Sequence, residues 1–227
     1  MIYSDRVNAY RRAALLRYAA IQFVVLTVIA MALYPGGTWF DPLTTHYELT
    51  HNFLSDLGAT HTFSGHANYP SLAAFALAVV SVGAALIAFA WSWRELATRG
   101  KARGFGIGSA VVGTASGVAF AGIAFAPIDR VLELHNTLVV CAFGLLLAYV
   151  AALTIVMWRN AVGRLGVNVM YVALVAGYVG LVVAGPRLGT PHGFIVQVIG
   201  QKVIVYVSMV HVIYLTTSIR RALTATQ

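Results

Sequence analysis

Residues 71–93 read SLAAFALAVVSVGAALIAFAWSW and contain no Asp, Glu, Lys or Arg. A helix needs about 20 apolar residues to cross the hydrocarbon core of a bilayer, so this stretch predicts a transmembrane helix. Comparable stretches recur along the chain. The predicted spans are residues 18–34, 71–93, 104–126, 134–158, 166–186 and 194–219. The sequence therefore predicts an all-α polytopic membrane protein, a bundle of six transmembrane helices.

The composition agrees with a single transmembrane domain over residues 1–227. Hydrophobic residues make up 59% of the chain and charged residues only 10%, whereas a soluble domain has about 25% charged residues. The net charge of +8 is carried by short basic stretches between apolar runs, which indicates membrane topology rather than nucleic-acid binding. The single cysteine, Cys141, excludes an intramolecular disulfide and a Cys-rich zinc site.

The N-terminal segment has two readings. Its basic start and the triplet Ala30-Met31-Ala32 resemble a cleavable signal peptide. The basic lead is long, however, and contains Asp5, so we expect this segment to be the first transmembrane helix.

The basic residues are distributed unequally between the two sides of the predicted bundle. Twelve fall on one side: Arg6, Arg11, Arg12, Arg17, Arg94, Arg99, Lys101, Arg103, Arg159, Arg164, Arg220 and Arg221. Only Arg130 and Arg187 fall on the other. The positive-inside rule makes the first side cytoplasmic. We therefore expect a multi-pass protein of the cell (inner or plasma) membrane with both termini in the cytoplasm.

The opposite, outer side receives most of the acidic and histidine residues and the one long loop, residues 35–70. Long loops are often functional. Within this loop, residues 42–57 have apolar side chains at intervals that predict a short amphipathic or re-entrant helix at the outer interface. Gly58 is the expected end of that helix.

The third predicted span contains Ser109, Gly113 and Gly117 at four-residue steps. Small residues in this pattern let membrane helices approach closely, so we expect a packing role. The alternative is a helix thinned to make room for a ligand.

The sixth span contains polar and charged residues at depths inside the membrane. Lys202 lies ~15 Å from its outer end, and a charge at that depth needs a partner, for which Asp56, Asp129 and Glu133 are the nearest acids. The pair would either fix helix packing or serve an anionic ligand. Gln197, Gln201, Ser208 and His211 form one stripe on the same helix. This stripe faces the bundle interior or a cavity, and inter-helix hydrogen bonding alone would also explain it.

Three pieces of sequence together resemble a family. They are NFLSDLG at residues 52–58, PID at 127–129 followed by His135, and GQK at 200–202. The pattern resembles the prokaryotic membrane proteins of domain of unknown function 998, over about residues 18–219. The resemblance implies a six-helix bundle and no established activity. The family usually has Arg where this chain has Lys202, which keeps the charge but loses the bidentate geometry.

Five residues from three regions are expected to converge in an outer cavity roofed by the 35–70 loop. As catalytic candidates, Asp56 and His135 would act as acid and base, Asp129 would orient His135, and Lys202 would stabilise negative charge beside Ser55. The binding candidates are Glu48, His51, Asn52, His66, Arg130, Gln197, Gln201 and His211. The cofactor is unknown. The histidines suggest a divalent metal as the cofactor, which would be held by His135 with His51 or His66.

Three classes of function remain open. The first is a hydrolase or transferase acting on a lipid or lipid-linked substrate. The second is a non-catalytic binder or transporter of a lipophilic or anionic small molecule. The third is a structural membrane subunit. The expected partners are membrane lipids. The chain is also compatible with a homo-oligomer, and no nucleic-acid partner is expected.

Overall fold

A computed structural model describes residues 3–96, 101–159, 165–185 and 189–224. These residues form six long helices and no strand. The helices are α1 (Tyr3–Leu33), α2 (Tyr69–Leu96), α3 (Lys101–Ile123), α4 (Leu132–Arg159), α5 (Leu165–Ala184) and α6 (Pro191–Thr224). All six helices contain a stretch long and apolar enough to cross a membrane. The predicted six-helix membrane bundle is therefore confirmed.

The helices form a closed ring in chain order. Each packs against the next, and α6 returns to contact α1. Phe89, Tyr149 and Val175 are fully buried inside the ring, whereas Leu15, Val118 and Met170 are exposed on its outside. Apolar side chains on both faces are what a bundle surrounded by lipid requires, because only the inner face packs against protein.

The glycines of the third span lie where α3 meets its neighbours. A Cβ atom built on Gly117 would lie 2.7 Å from the Gly83 carbonyl oxygen of α2, and one on Gly113 would lie 2.8 Å from the Ala90 Cβ. Ser109 is buried on the same helix. The structure thus gives these small residues the close-packing role that their spacing predicts.

Two helix ends differ from the predicted spans for local reasons. Helix α3 stops at Ile123 because Ala124, Phe125 and Ala126 donate backbone hydrogen bonds three residues back, which tightens the last turn. Helix α6 begins early, at Pro191, because Thr190 accepts the Gly193 N–H and acts as its N-cap. Arg99, Arg164, Pro186 and Arg187, which bear on the predicted topology and spans, lie outside the described residues.

The connection between α1 and α2 is a folded cap. The amphipathic helix predicted within residues 42–57 is wrong in extent: the only helical turn there is a five-residue 3₁₀ turn, Leu54–Gly58. Leu54, Ser55, Asp56 and Leu57 are all buried, and the turn contacts α1, α2 and α6. The segment therefore dips into the bundle, the re-entrant alternative, instead of lying on the interface. Gly58 ends it as expected, and a Cβ there would lie 2.7 Å from the Phe75 ring.

Candidate functional site

Asn52 organises the cap from a fully buried position. Its amide nitrogen donates to the Gly37 carbonyl at 3.0 Å and to Asp56 Oδ2 at 3.2 Å, and its Oδ1 accepts the Glu48 N–H at 2.9 Å. Its backbone carbonyl accepts from the Tyr47 hydroxyl at 3.0 Å. One side chain thus joins the start, middle and end of the cap, which makes Asn52 a structural centre and not a cavity-lining group.

Asp56 is held in the re-entrant turn by its own motif. Its Oδ2 accepts the Phe53 N–H at 2.9 Å as well as the Asn52 amide. Burial raises the pKa of Asp56 to about 6, although the hydrogen bonds from Asn52 and Phe53 and the nearby Lys202 ammonium all lower it. The carboxyl therefore takes up a proton in the folded protein more readily than in the unfolded chain.

The raised pKa of Asp56 predicts a pH-dependent stability. Between its ordinary pKa of 3.8 and the folded value of about 6, the unfolded chain is ionised while the folded protein retains the proton. For this group, stability is therefore greatest below about pH 4, falls as the pH rises from about 4 to about 6, and is level above that. Thermal unfolding in detergent from pH 4 to 8 should show this fall, and Asp56→Asn should remove it. Glu133→Gln, at an exposed acid, is the control that keeps it. An unchanged pH profile in Asp56→Asn would contradict the prediction.

Lys202 finds a partner other than the expected acid. Its buried ammonium donates to the Asn52 backbone carbonyl and lies 5.3 Å from the centre of the Tyr47 ring. Asp56 is close enough to interact with it electrostatically, but the direct hydrogen bond goes to the carbonyl. The expected pairing with a carboxylate is thus corrected. A carbonyl and an aromatic face satisfy the charge because the re-entrant turn brings backbone oxygens to mid-helix depth.

Asp129 and Arg130 clamp the cap to the α3–α4 turn. Asp129 accepts from the Thr60 N–H at 2.8 Å, the Thr60 hydroxyl at 2.5 Å and the His61 N–H at 3.2 Å. Partial burial alone would raise the pKa of Asp129, but these hydrogen bonds outweigh burial and the pKa is lowered. Arg130 donates through Nε to Thr60 Oγ1 at 2.9 Å and through a terminal nitrogen to His61 Nδ1 at 3.2 Å.

His135 is oriented by a backbone carbonyl and not by Asp129, which corrects the expected acid–histidine pair. Its Nδ1 lies 2.7 Å from the Ala126 oxygen, and a carbonyl can only accept, so Nδ1 carries the proton. In the neutral ring, Nε2 is then an acceptor. His135 is 2% exposed, and its Nε2 has no partner among the described residues. The tight α3–α4 turn supplies the carbonyl, while the Asp129 carboxylate is already hydrogen-bonded to Thr60 and His61.

A cavity of about 1130 Å³ opens between the cap and helices α4, α5 and α6. We call it the main cavity. Its polar lining residues are Ser55, Asp56, His61, Thr62, Asp129, Arg130, His135, Asn136, Gln197 and Gln201. Its apolar wall includes Trp39, Phe53, Phe63, Leu132, Val139, Val140, Val182 and Phe194. The cavity is therefore lined by both polar and apolar side chains.

The predicted site residues divide into two groups. Seven line the main cavity: Ser55, Asp56, Asp129, Arg130, His135, Gln197 and Gln201. Six do not: Glu48, His51, Asn52, His66, Lys202 and His211. Sequence reasoning missed Trp39, Thr62 and Asn136 as lining residues and did not select His61 as a candidate. Asn136 follows His135 directly, which was an available signal, but nothing local marks the other three.

The polar stripe of α6 is used mainly for packing. Gln197 donates to the Leu181 carbonyl at 2.7 Å, and Gln201 Oε1 accepts the Leu54 N–H at 2.6 Å. Ser208 pairs with the Tyr171 hydroxyl at 2.8 Å. The His211 ring stacks on Tyr171 with centroids 3.9 Å apart. Inter-helix contacts, the simpler of the two interpretations, thus explain most of the stripe.

The three histidines considered as metal ligands, His51, His66 and His135, lie apart from one another. His51 pairs with Glu48 at 3.1 Å, and His66 Nδ1 lies 2.8 Å from the Ser64 hydroxyl, while only His135 lines the main cavity. In the described part of the chain, no group of three His, Cys, Asp or Glu side chains has a metal-binding arrangement. The suggested pairing of His135 with His51 or His66 is therefore not brought together.

A small pocket of about 10 Å³ lies beside the main cavity. It runs between α4 and α5 and shares Val139, Val140, Tyr178 and Val182 with the cavity lining. Val140 and Val182 are both exposed. We call this small pocket the α4–α5 portal. At the cap end, Trp39 packs edge-to-face on Phe63 with centroids 5.9 Å apart, an aromatic pair of the kind found at membrane interfaces.

Together, the fold and the site define a multi-pass membrane protein with an amphipathic cavity beneath a re-entrant cap. The model of the family described as "Protein of unknown function (DUF998)" matches residues 18–212. The chain belongs to this family. No curated protein and no solved structure matches it.

Proposed function

We propose that the protein binds an amphipathic, lipid-like molecule in the main cavity. The observation that carries the proposal is the cavity's mixed lining, in which polar groups of the cap, the α3–α4 turn, α4 and α6 lie among many apolar side chains. Ligand sites are typically concave and largely apolar, with a few convergent polar groups. An amphiphile is the class of molecule that satisfies both the polar and the apolar lining groups.

The unpaired polar groups indicate the head that would bind. The Ser55 hydroxyl makes no hydrogen bond with another described residue, and His135 Nε2 is a free acceptor. A buried acceptor without a partner is costly, and a donor on the ligand would relieve that cost. The head group should therefore carry hydroxyl or N–H donors. The other predicted catalytic groups are engaged: Asp129 in the clamp, Asp56 in the re-entrant turn and Lys202 on the Asn52 carbonyl.

The α4–α5 portal supports entry from the bilayer. Its exposed valines border the cavity directly, so an alkyl chain could pass between the helices without its hydrocarbon entering water. With the basic stretches on the cytoplasmic side, the cap and cavity would face the outer leaflet, and the ligand would be taken from there.

Photolabelling with a monoacylglycerol carrying a diazirine in its acyl chain tests this proposal. The probe has hydroxyl donors, an ester and one alkyl chain. In nanodiscs, we expect crosslinks on cavity-lining residues of α4, α5 and the cap. Val182→Trp should reduce them severalfold by closing the portal, whereas Val118→Trp, on an exposed face of α3, should not. Labelling spread evenly over lipid-facing residues, unaffected by Val182→Trp, would refute the proposal.

A hydrolytic step on the bound molecule is the second candidate, favoured by the Ser55 hydroxyl and His135 Nε2, which both belong to residues lining the main cavity and have no hydrogen-bond partner among the described residues. Ser55 would attack the ester carbonyl carbon as His135 accepts its proton, and glycerol would leave with that proton as an acyl-Ser55 ester forms. Water would then hydrolyse the acyl-Ser55 ester and release the fatty acid. Mass spectrometry of the same samples decides between the two. Intact probe supports binding alone, whereas free fatty acid that disappears in Ser55→Ala establishes hydrolysis.

A further inference from the structure

Ser55, His135 and Gln201 come from the cap, α4 and α6 and share an unusual position. All three line the main cavity, and all three also line a second, smaller cavity of about 100 Å³. Residues that border the same two spaces lie at one place in the bundle. Gln201 and Ser55 are connected further, because the N–H of the neighbouring Leu54 donates to Gln201 Oε1 at 2.6 Å. We call the three residues the polar triplet.

Each member of the polar triplet has a polar atom without a partner in the described part of the chain. The Leu54 N–H can only donate, so it fixes the oxygen of the Gln201 amide towards the cap. The Nε2 hydrogens of Gln201 then point elsewhere and make no hydrogen bond with a described residue. The Ser55 hydroxyl is likewise unpaired, and His135 Nε2 is a buried acceptor. The triplet thus offers a donor, an acceptor and a hydroxyl that can be either.

The smaller cavity offers these atoms no protein partner. Its lining is almost entirely apolar, with Phe75, Val82 and Leu146 among its residues. Its other polar lining residues, Tyr171 and Ser208, are hydrogen-bonded to each other at 2.8 Å. At about 100 Å³ it is also too small for an amphiphile, whereas the main cavity has about 1130 Å³. A ligand therefore meets the polar triplet from the main cavity.

The charged residues that line the main cavity are already compensated by opposite charges. Asp129 and Arg130 are both exposed, with 3.4 Å between carboxylate and guanidinium. The Asp56 carboxyl interacts with the Lys202 ammonium, which lines neither cavity. Among the described residues, no uncompensated cation therefore lies beside the buried triplet to receive an anionic head. Burying an unpaired charge costs far more than burying a neutral group that is hydrogen-bonded, so the site favours an uncharged head.

A single hydroxyl group is complementary to the polar triplet. It has one donor and two acceptor lone pairs, so it can donate to His135 Nε2 while accepting from Gln201 Nε2 and Ser55. An ammonium head has donors alone, and an ether oxygen only accepts. We infer that the polar triplet binds a hydroxyl group, so that the bound amphiphile is an uncharged lipid alcohol or acylglycerol. This inference rests on the proposed function and adds the class of head group to it.

Competition with the diazirine monoacylglycerol tests the head-group selectivity. The full chain in nanodiscs of a zwitterionic phospholipid is photolabelled while competitors with the same dodecyl chain are titrated: 1-dodecanol, 1-methoxydodecane, dodecylamine and dodecyl phosphate. We expect 1-dodecanol to compete at the lowest mole fraction. The ether, which has no proton to donate to His135, should need about fivefold more, as expected for the loss of one neutral hydrogen bond. The two charged heads should need at least about tenfold more.

Variants of the polar triplet show whether this preference arises there. His135→Phe removes the acceptor and keeps a ring, so 1-dodecanol should then compete no better than the ether. Ser55→Ala is the smaller change and should weaken competition by 1-dodecanol severalfold, which keeps the inference testable if His135→Phe does not fold. His192→Phe makes the same substitution at an exposed position of α6 that lines neither cavity. This matched control should retain the preference for the alcohol.

Two kinds of result separate this inference from the proposed function. Competition by dodecyl phosphate or dodecylamine that equals or exceeds that of 1-dodecanol would overturn the hydroxyl site and leave the binding proposal intact. The same holds for a preference for the alcohol that persists in His135→Phe. Labelling that no competitor reduces and that Val182→Trp does not change would instead refute the proposed function itself.

Discussion

Asn52→Leu should lower the free energy of unfolding by roughly 2–4 kcal/mol, because three polar groups of the cap each lose a hydrogen bond. The Gly37 carbonyl, the Glu48 N–H and Asp56 Oδ2 all bond to this amide. Leucine has the same number of side-chain heavy atoms with the same branching, so it removes the hydrogen bonds while keeping the shape of the side chain. We expect the cap to detach from α1 and the main cavity to lose its roof.

Thermal unfolding in detergent measures the effect, with a decrease in Tm of roughly 10 °C or more expected for a domain of this size. Asn136→Leu is the matched control. Asn136 lies at the same end of the bundle and is exposed, without a hydrogen bond to any other described residue. Equal Tm values for the two variants would show that the cap does not depend on the Asn52 amide.

Gly117→Leu should be comparably damaging, by about 3 kcal/mol, through overpacking of the α2–α3 contact. The first atom of any side chain at this position would lie 2.7 Å from both the Gly83 carbonyl oxygen and Ile87 Cγ1. The carbonyl is backbone and cannot rotate away. The two helices must therefore separate, and this opens one of the most extensive helix–helix contacts in the bundle.

Gly177→Leu tests whether the effect is specific to the contact. Gly177 is a glycine of α5 with no atom within 4 Å of a built Cβ, and replacing glycine within a helix removes a propensity cost of about 1 kcal/mol. Its Tm should be unchanged or slightly higher. An equal loss of stability in Gly117→Leu and Gly177→Leu would contradict the prediction. It would mean that the close contact of α3 with α2 is not the cause of the loss at Gly117.

The main features of the fold could be predicted because they are local. Each span is a continuous apolar run, and the Ser109-Gly113-Gly117 spacing indicates a packing face before any neighbour is known. The family resemblance on residues 52–58, 127–135 and 200–202 was likewise readable, and the family match confirms it. Helix ends were less predictable, since Thr190-Pro191 and the tightened turn after Ile123 depend on single capping bonds.

The location of the candidate site was predictable, but the hydrogen-bond partners of its side chains were not. Sequence reasoning expected Lys202 to face an acid and Asp129 to hold His135. In the structure, the partners are the backbone carbonyls of Asn52 and Ala126. Every residue carries a carbonyl, so the sequence alone does not mark the one that will be free at the right depth.

The sequence by itself determined that this chain is a six-helix membrane protein and that residues 52–58 hold a polar motif beside an apolar core. The tertiary structure alone decided which polar groups satisfy one another and which remain for a ligand. The reason is distance along the chain. Thr60 meets Asp129 across 69 positions, and Asn52 meets Lys202 across 150. Only the closed ring of helices brings these segments together and leaves the Ser55 hydroxyl and His135 Nε2, both of residues that line the main cavity, without a hydrogen-bond partner among the described residues.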